Sequence, residues 1–403
     1  MIQNLPLGPT LLIAGTAIGG GMLALPLSAL EIGFLPSIGA FGLTWFFMTL
    51  SAAYLLQACL RAPTDSDLFT VAHNTLGNFG KWLTTFTYFG LLYTLICAYI
   101  LGLSEWTSAL FEHWFNIYCD KSLLFVLIAT LAWGWLALGT KGVDYINRFF
   151  MILLCFSYAL LIGHATPHLE PKHWEIIPNT LTQNTFCAIL PVLTTAFGFG
   201  IVIPMLCKMV NKNQVRLKAA LFYGCGFVLI VYIFWQALMF GLLPIQDATA
   251  LLAFTQAPHP TEKISQLLVQ GPYSPFLAIA FQALAFSALI TSFLGVSISL
   301  AHFLKDAIPV RLHHNSPAGL GLLTMAPALL VIILAPYSFL FFVSFASLFV
   351  AILLGILPVL FAQYSPKQPQ TFTVPGGCPL KLLTLLFFIC VISIELYTLW
   401  VTK

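Results

Sequence analysis

Apolar runs of helical length follow one another along the whole chain, separated by short polar segments. A helix needs about 20 apolar residues to cross the hydrocarbon core of a bilayer. A transmembrane barrel would instead show short segments that alternate between apolar and polar residues, and these runs are continuous. The pattern predicts an all-α polytopic membrane protein with eleven transmembrane helices, at residues 9–34, 36–60, 82–111, 122–140, 144–165, 183–207, 216–241, 273–303, 317–336, 339–361 and 380–401.

The composition supports this class and excludes a soluble one. Of the 403 residues, 60% are hydrophobic and only 7% are charged, whereas soluble domains carry about 25% charged residues. The segments between the spans are short, which leaves no room for a separate soluble domain. The nine cysteines form no CxxC pair and have no metal-ligand spacing, so we interpret them as small buried apolar residues.

The basic residues predict the orientation in the membrane. With eleven spans, one side receives Arg61, Lys81, Lys141, Arg148, Lys208, Lys212, Arg216, Lys218, Lys305, Arg311, Lys367 and Lys381. The other side receives only Lys121, Lys172, Lys263 and Lys403. Because cytoplasmic loops are enriched in Lys and Arg, we expect a cytoplasmic N-terminus and an external C-terminus.

Two spans contain helix breakers near their middle. Span one has the sequence Gly19-Gly20-Gly21 followed by Pro26, and span six has Gly198-Phe199-Gly200 followed by Pro204. Five spans separate the two sites, so the two interrupted spans run in opposite directions. This is typical of an inverted repeat with discontinuous helices. It predicts a first repeat over residues 1–165, a second over 183–361, and one extra C-terminal helix within 362–403.

The breaks have a physical use. Unpaired backbone groups in hydrocarbon cost several kcal/mol each, so a broken helix persists only where something else binds its ends. A helix N-terminus offers N–H groups that suit a carboxylate, and a helix C-terminus offers carbonyls that suit an ammonium group or a cation. The breaks therefore predict a site for an amino acid. The alternative is that Gly15 and Gly19, a GxxxG pair, only pack helices together.

Four motifs resemble the aromatic amino acid permeases of bacteria, a branch of the amino-acid/polyamine/organocation superfamily. They are "GTAIGGGMLALP", "LPVLTTAFGFGIVIPMLCK", "TSFLGVSISLAHFLKD" and "VPGGCPLKLLTLL". The resemblance implies import of an aromatic amino acid across the cytoplasmic (inner) membrane by cation-coupled symport, with tyrosine favoured and tryptophan next. It implies no enzymatic activity and no cofactor. We expect a monomer that binds its substrate and the lipid bilayer but no nucleic acid.

The resemblance also implies residue roles. The N–H groups of Gly20 and Gly21 would bind the substrate carboxylate, and the carbonyls of Ala17 and Phe197 would bind its ammonium group. Phe197 or Phe199 would close over the substrate. With aromatic and hydroxyl side chains near the breaks, the candidate substrate-binding residues are Ala17, Ile18, Gly19, Gly20, Gly21, Met22, Tyr93, Tyr99, Thr194, Thr195, Phe197, Gly198, Phe199 and Phe286. Tyr93 and Tyr99 lie on different faces of one helix, so not all of these line one slot.

The coupling ion stays open between sodium and a proton. Ala288, Thr291 and Ser292 share one helix face, where a carbonyl and two hydroxyls are possible ligands of a hard cation. By resemblance, the carbonyls of Gly15 and Ile18 would complete a sodium site. The alternative is that the hydroxyls bond back to their own helix. A proton carrier would need a titratable group, and two carboxylates within the spans, Glu105 and Glu395, are expected at the external interface.

Other function classes lack the residues they need. A different small neutral amino acid or amine remains an alternative substrate for the same fold. A membrane-embedded enzyme would need a nucleophile–base pair or a metal cluster at membrane depth, and the sequence offers none. A channel would need a continuous polar stripe, and the spans are too uniformly apolar.

Overall fold

A computed structural model describes residues 6–63, 66–117, 119–176, 182–242, 275–307, 317–335, 337–366 and 371–401, and every regular element among them is helical. The α-helices are α1 (Leu7–Ala17), α2 (Gly20–Ala29), α3 (Phe34–Arg61), α4 (Leu68–Phe115), α5 (Lys121–Ala137), α6 (Gly139–Ala165), α7 (Gln183–Ala188), α8 (Leu190–Ala196), α9 (Ile203–Met209), α10 (Gln214–Leu242), α11 (Pro275–Ala307), α12 (Pro317–Leu334), α13 (Phe339–Val350), α14 (Leu357–Tyr364) and α15 (Gly377–Val401). Short 3₁₀ helices cover Thr166–His168, Pro171–Glu175 and Gly198–Val202, and a π-helical turn covers Ala351–Ile356.

These helices confirm an all-α polytopic membrane protein. Eight helical stretches in the described chain are long and apolar enough to cross a membrane, or nine if α1 and α2 are one bent span. Two further apolar helices, Lys121–Ala137 and Ala318–Leu334, are shorter, in the class of 10–17 residues, and are not counted among these stretches. A helix overlaps each predicted span, while the count of eleven and the inverted repeat remain predictions.

One connecting segment contains more helix than the sequence pattern predicts. Residues 61–81 were expected to link spans two and three, but α4 already begins at Leu68. Asp67 caps it, because its carboxylate accepts a hydrogen bond from the Thr70 N–H at 2.7 Å. Gly77 then interrupts the helical backbone with φ 63°, a conformation that glycine adopts easily. A short helix therefore precedes the third span.

Burial differs between central and peripheral helices. In the most apolar window of α3, 67% of the residues are buried inside the protein, against 22% in α15 and 17% in the stretch Gly142–Ala165 of α6. The exposed side chains of these peripheral helices are themselves apolar, as in Phe149 and Ile152 of α6 and Leu386 and Ile389 of α15. Lipid is the solvent in which such a surface is stable.

Loop contacts distinguish the two ends of the helix bundle. At one end Arg61 donates to Ser365 and Thr373, both at 3.2 Å, and the Lys212 ammonium donates to the Pro63 carbonyl at 3.0 Å. We call this the basic end. At the opposite end, the Trp174 ring packs on Phe34, with ring centroids 5.7 Å apart, and its indole N–H donates to the Ala237 carbonyl at 2.9 Å.

Candidate functional site

The predicted interruption of span one is present. Helix α1 ends at Ala17 and α2 begins at Gly20, and the two are bent by 52°. Between them, Ile18 and Gly19 have extended backbones. The Ile18 N–H still bonds to the Ala14 carbonyl at 2.8 Å, which closes the last turn of α1. At the break, only two residues separate the C-terminus of α1 from the N-terminus of α2.

Three consecutive glycines let three different neighbours approach this break. A Cβ atom at Gly19 would collide with the Ser292 hydroxyl, and a Cβ at Gly20 would lie 2.6 Å from the Tyr99 ring atom Cε1. A Cβ at Gly21 would lie 3.4 Å from the Ala196 Cα on α8. These contacts explain the glycines as close approaches of side chains and of a second helix to the open backbone.

Gly15 is different, and it bears on the GxxxG alternative. A Cβ at Gly15 would meet no atom within 4 Å, and the residue lines a cavity. Gly15 therefore does not serve close helix packing.

Pro26, inside α2, opens a second gap in the same span. Proline has no N–H, so the carbonyl four residues earlier, that of Met22, loses its helical partner. The Trp235 indole N–H donates to this carbonyl at 2.9 Å. The proline is thus matched by a tryptophan on α10, a pairing that the sequence pattern did not predict.

Span six is also interrupted, but more gently. Helix α8 ends at Ala196, Phe197 leaves the helical conformation, and a 3₁₀ turn over Gly198–Val202 leads into α9. Pro204 lies in the first turn of α9, where its missing N–H removes no helical bond. The nearest atom to a Cβ at Gly198 would be 4.0 Å away, and at Gly200 it would be 3.8 Å away. These two glycines have room around them.

Side chains from two other helices bind the opened backbone. On α11, the Ser292 hydroxyl accepts from the Gly20 N–H at 2.8 Å. On α10, the Tyr232 hydroxyl lies 2.6 Å from the Ala17 carbonyl oxygen and 2.9 Å from the Ala196 carbonyl oxygen. Tyr232 lies in an apolar run with nothing in the sequence to distinguish it, so sequence reasoning missed it.

A cavity of about 690 Å³ lies beside both breaks. Most of its wall is apolar, from side chains such as Leu92, Met151 and Val350. Many of the predicted site residues line it, namely Gly15, Ala17, Ile18, Gly21, Tyr99, Thr195, Gly198, Thr291 and Ser292. The structure therefore brings together residues from spans one, three, six and eight.

Other predicted residues lie outside this lining. Gly19 and Gly20 are covered by Ser292 and Tyr99. The Tyr93 hydroxyl donates to the Leu323 carbonyl of α12 at 2.8 Å, and Tyr93 faces a different direction from Tyr99 because six residues rotate a helix by about 240°. The remaining residues outside the lining are Met22, Thr194, Phe197, Phe199, Phe286 and Ala288.

Two cavity-lining polar atoms are buried without a hydrogen-bond partner in the described part of the chain. They are Oγ1 of Thr195 and Oδ1 of Asn147. A buried polar atom without a partner costs about 1–3 kcal/mol, so these atoms suit a ligand or a water molecule. Asn147, near the start of span five, was not among the predicted site residues.

The hydroxyls proposed for a cation have other partners in this structure. Thr291 Oγ1 donates to the carbonyls of Ser287 and Ala288 at 2.9 and 3.2 Å, which is the back-bonding alternative. Ser292 accepts from Gly20. The Ala288 carbonyl nevertheless lies 3.8 Å from the position of a Cβ on Gly19. The Ser292 hydroxyl and the Ala288 carbonyl of α11 therefore lie beside the first break.

The carboxylates of Glu105 and Glu395 are buried in protein. The exposed fractions of Glu105 and Glu395 are 4% and 2%. Glu105 accepts from the Phe339 N–H at 3.3 Å, at the start of α13, and Glu395 accepts from the Ser344 hydroxyl at 2.6 Å. Neither carboxylate lines the cavity, and their place at the external interface stays a prediction.

Packed aromatic side chains close the cavity on the side that faces away from the basic end. Trp235 and Phe281 stack with centroids 6.0 Å apart and an interplanar angle of 7°, and Trp106 packs on Phe281 at 5.3 Å. With Leu23 and Leu27 they leave a void of only about 10 Å³. The large cavity extends toward the basic end, where Met205 of α9 and Ser299 of α11 line it. Both helices end soon afterwards, near Lys208 and Lys305.

Comparison with known proteins gives a consistent result. Residues 3–395 match the tryptophan/tyrosine permease family. The chain is 31% identical to the tryptophan-specific transport protein of Haemophilus influenzae, over 92% of this chain and 90% of the relative. It is 31% identical to tyrosine-specific transport system 1 of the same organism, over 89% and 87%. It is also 28% identical to glutamine transporter 2 of Aliivibrio fischeri, over 75% of each chain.

Proposed function

Because the chain belongs to the tryptophan/tyrosine permease family, we propose that it imports an aromatic amino acid by cation-coupled symport with alternating access. It is a multi-pass membrane permease and not an enzyme. The observation that carries the proposal is the cavity of about 690 Å³ bordered by both broken spans. In this cavity, helix N–H groups are close enough to bind the carboxylate of an amino acid while helix carbonyls bind its ammonium group.

The binding mode follows from the polarity of the breaks. The N-terminus of α2 at Gly20 and Gly21 attracts the carboxylate, and the C-termini of α1 and α8 at Ala17 and Ala196 attract the ammonium group. Ser292 holds the Gly20 N–H in this structure, so a carboxylate binds there by replacing or bridging the serine hydroxyl. The Ala196 carbonyl thus takes the role in ammonium binding that the family resemblance assigns to the Phe197 carbonyl.

The apolar walls support an aromatic side chain. Leu92, Met151 and Val350 offer surface to a ring, and aromatic rings gain most from such burial. The unpartnered oxygens of Thr195 and Asn147 suit the polar tip of tyrosine or the indole N–H of tryptophan. Tyrosine is favoured and tryptophan is next. The relative that carries glutamine in its name keeps a small neutral amino acid as the second candidate.

The transport cycle is proposed from the shape of the cavity and the charge of the bundle ends. If the basic end is cytoplasmic, as the positive-inside rule predicts, then Trp106, Trp235 and Phe281 close the external path and the cavity faces inward. The inverted repeat supplies the second, outward-facing arrangement. The protein then has its N-terminus in the cytoplasm of a bacterial cell and its C-terminus outside.

The coupling ion is sodium or a proton. The oxygens of Ala288, Thr291 and Ser292 near the Ile18–Gly19 break favour sodium. The buried carboxylates of Glu105 and Glu395 are the titratable candidates for a proton.

The deciding experiment is uptake into proteoliposomes of labelled tyrosine, tryptophan, phenylalanine and glutamine, with an imposed sodium gradient, an imposed proton gradient, or neither. We expect the aromatic amino acids to accumulate faster than glutamine, and one gradient to drive accumulation above equilibrium. Faster uptake of glutamine would overturn the aromatic assignment. An uptake rate that neither gradient changes would overturn the proposal of symport.

A further inference from the structure

Tyr232 occupies a special place between the two broken spans. It lies on α10, its side chain is 0% exposed, and it is not part of the cavity lining. Its hydroxyl lies within 2.6 Å of the Ala17 carbonyl oxygen and 2.9 Å of the Ala196 carbonyl oxygen. These residues are the last of α1 and the last of α8. One side chain from a third helix therefore contacts both carbonyl ends.

The two ends need such a contact. The last carbonyls of a helix have no partner within it and carry partial negative charge, so two C-termini that converge repel each other. The phenol O–H places a positive hydrogen between them. The Tyr232 ring packs at 5.0 Å from the Phe197 ring, which holds the hydroxyl in place from the side of span six.

The same two residues face the cavity. Ala17 and Ala196 both line it, whereas Tyr232 stands behind them. A carbonyl oxygen has two lone pairs. When one is directed at Tyr232, the other remains available to a donor in the cavity. Tyr232 thus fixes the distance between two acceptors and the direction in which they point.

We propose that Tyr232 is a positioning residue for amine recognition: its hydroxyl ties the Ala17 and Ala196 carbonyls together so that both accept from the ammonium group of the substrate. This inference rests on the proposed function, because it names the group by which that site selects an amino acid. Tyr232 acts through the two carbonyls and contacts no substrate atom itself.

The test uses Tyr232→Phe, which removes one oxygen and keeps the ring. Tyr158→Phe is the matched control, because the Tyr158 ring lies 6.3 Å from Trp235 in the same region and its buried hydroxyl has no hydrogen-bond partner among the described residues. In proteoliposomes, we expect Tyr232→Phe to raise the KM for the transported aromatic amino acid about tenfold, with a maximal rate within about twofold of the wild type.

The selectivity for the amine is measured by competition with the desamino analogue, which keeps the ring and the carboxylate. In Tyr232→Phe, the preference for the amino acid over this analogue should fall about tenfold, and in Tyr158→Phe it should stay unchanged. An unchanged preference in Tyr232→Phe overturns the proposal. Equal melting temperatures of the two variants in detergent confirm that the comparison is between folded proteins.

Hydrogen exchange of the substrate-free protein supplies a readout that does not depend on transport. The Ile18 and Phe197 N–H groups follow directly after the tied carbonyls and bond to Ala14 and Leu193. Both should exchange at least about threefold faster in Tyr232→Phe than in Tyr158→Phe. Equal exchange rates overturn the tie. If the wild type transports no aromatic amino acid, the proposed function fails while the exchange measurement still decides whether Tyr232 ties the breaks.

Discussion

The two interrupted spans carry similar sequence patterns but have different structures. In span one, the backbone is extended at Ile18 and Gly19 and the axis bends by 52°. In span six, the chain continues through a 3₁₀ turn over Gly198–Val202. The glycines of the first break are pressed against Ser292 and Tyr99, whereas those of the second have open space or ordinary contacts.

This difference shows that glycine serves two purposes in one motif. At the first break it permits close approach of other groups to the backbone. At the second it permits a change of helix type, for which the absence of a Cβ matters less. The prolines differ in the same way. Pro26 lies inside α2 and leaves the Met22 carbonyl to Trp235, while Pro204 lies in the first turn of α9 and leaves no carbonyl unpaired.

The largest effect is expected for Gly20→Ala. Its methyl group would lie 2.6 Å from the Tyr99 ring atom Cε1, and Tyr99 is only 6% exposed, so the ring has little room to move aside. We expect the initial rate of aromatic amino acid uptake to fall by about tenfold to a hundredfold, since overpacking of a site costs about 1–3 kcal/mol. Gly198→Ala is the control, with 4.0 Å to its nearest neighbour. Equal uptake by the two variants, normalised to inserted protein, would remove the distinction between the breaks.

A smaller effect is expected for Trp235→Phe, measured as thermal stability in detergent. The substitution leaves the Met22 carbonyl buried without a donor, because Pro26 cannot supply one. The cost should be about 1–3 kcal/mol.

Trp45→Phe is the matched control for this variant. It removes an indole bond of 2.8 Å to the Cys225 carbonyl, but Cys225 lies within α10, where the backbone N–H four residues later also serves its carbonyl. We therefore expect a smaller loss of stability. An equal loss in both variants would show that Pro26 leaves no special gap in span one.

The sequence pattern predicted the class of fold and the position of both breaks, because apolar runs and helix breakers are local signals. It did not predict how the breaks are bound. Tyr232 and Trp235 supply their donors from α10, more than 200 residues after Ala17 and Met22, and no local pattern marks a partner at that separation. The burial of Glu105 and Glu395 was missed for the same reason, since Ser344 and the start of α13 are distant in sequence.

Tyr93 shows a second limit of sequence reasoning. Aromatic residues make up 14% of the chain, so membership of the correct helix does not select the residues that face the cavity. Tyr99 faces it, while Tyr93 binds α12. The direction depends on how α4 is rotated against its neighbours, which only the packed structure reveals.

The smallest effect is expected for Gly200→Ala. The nearest atom to the added methyl would be the Ala52 Cβ at 3.8 Å, an ordinary van der Waals distance. Alanine also has a higher helix propensity than glycine, by about 1 kcal/mol, so the variant should melt no lower than the wild type and take up substrate within about twofold of its rate. A loss of uptake beyond about tenfold, with unchanged stability, would mean that Gly200 must approach another group during the transport cycle. The second break would then resemble the first in function, although the two differ in backbone conformation.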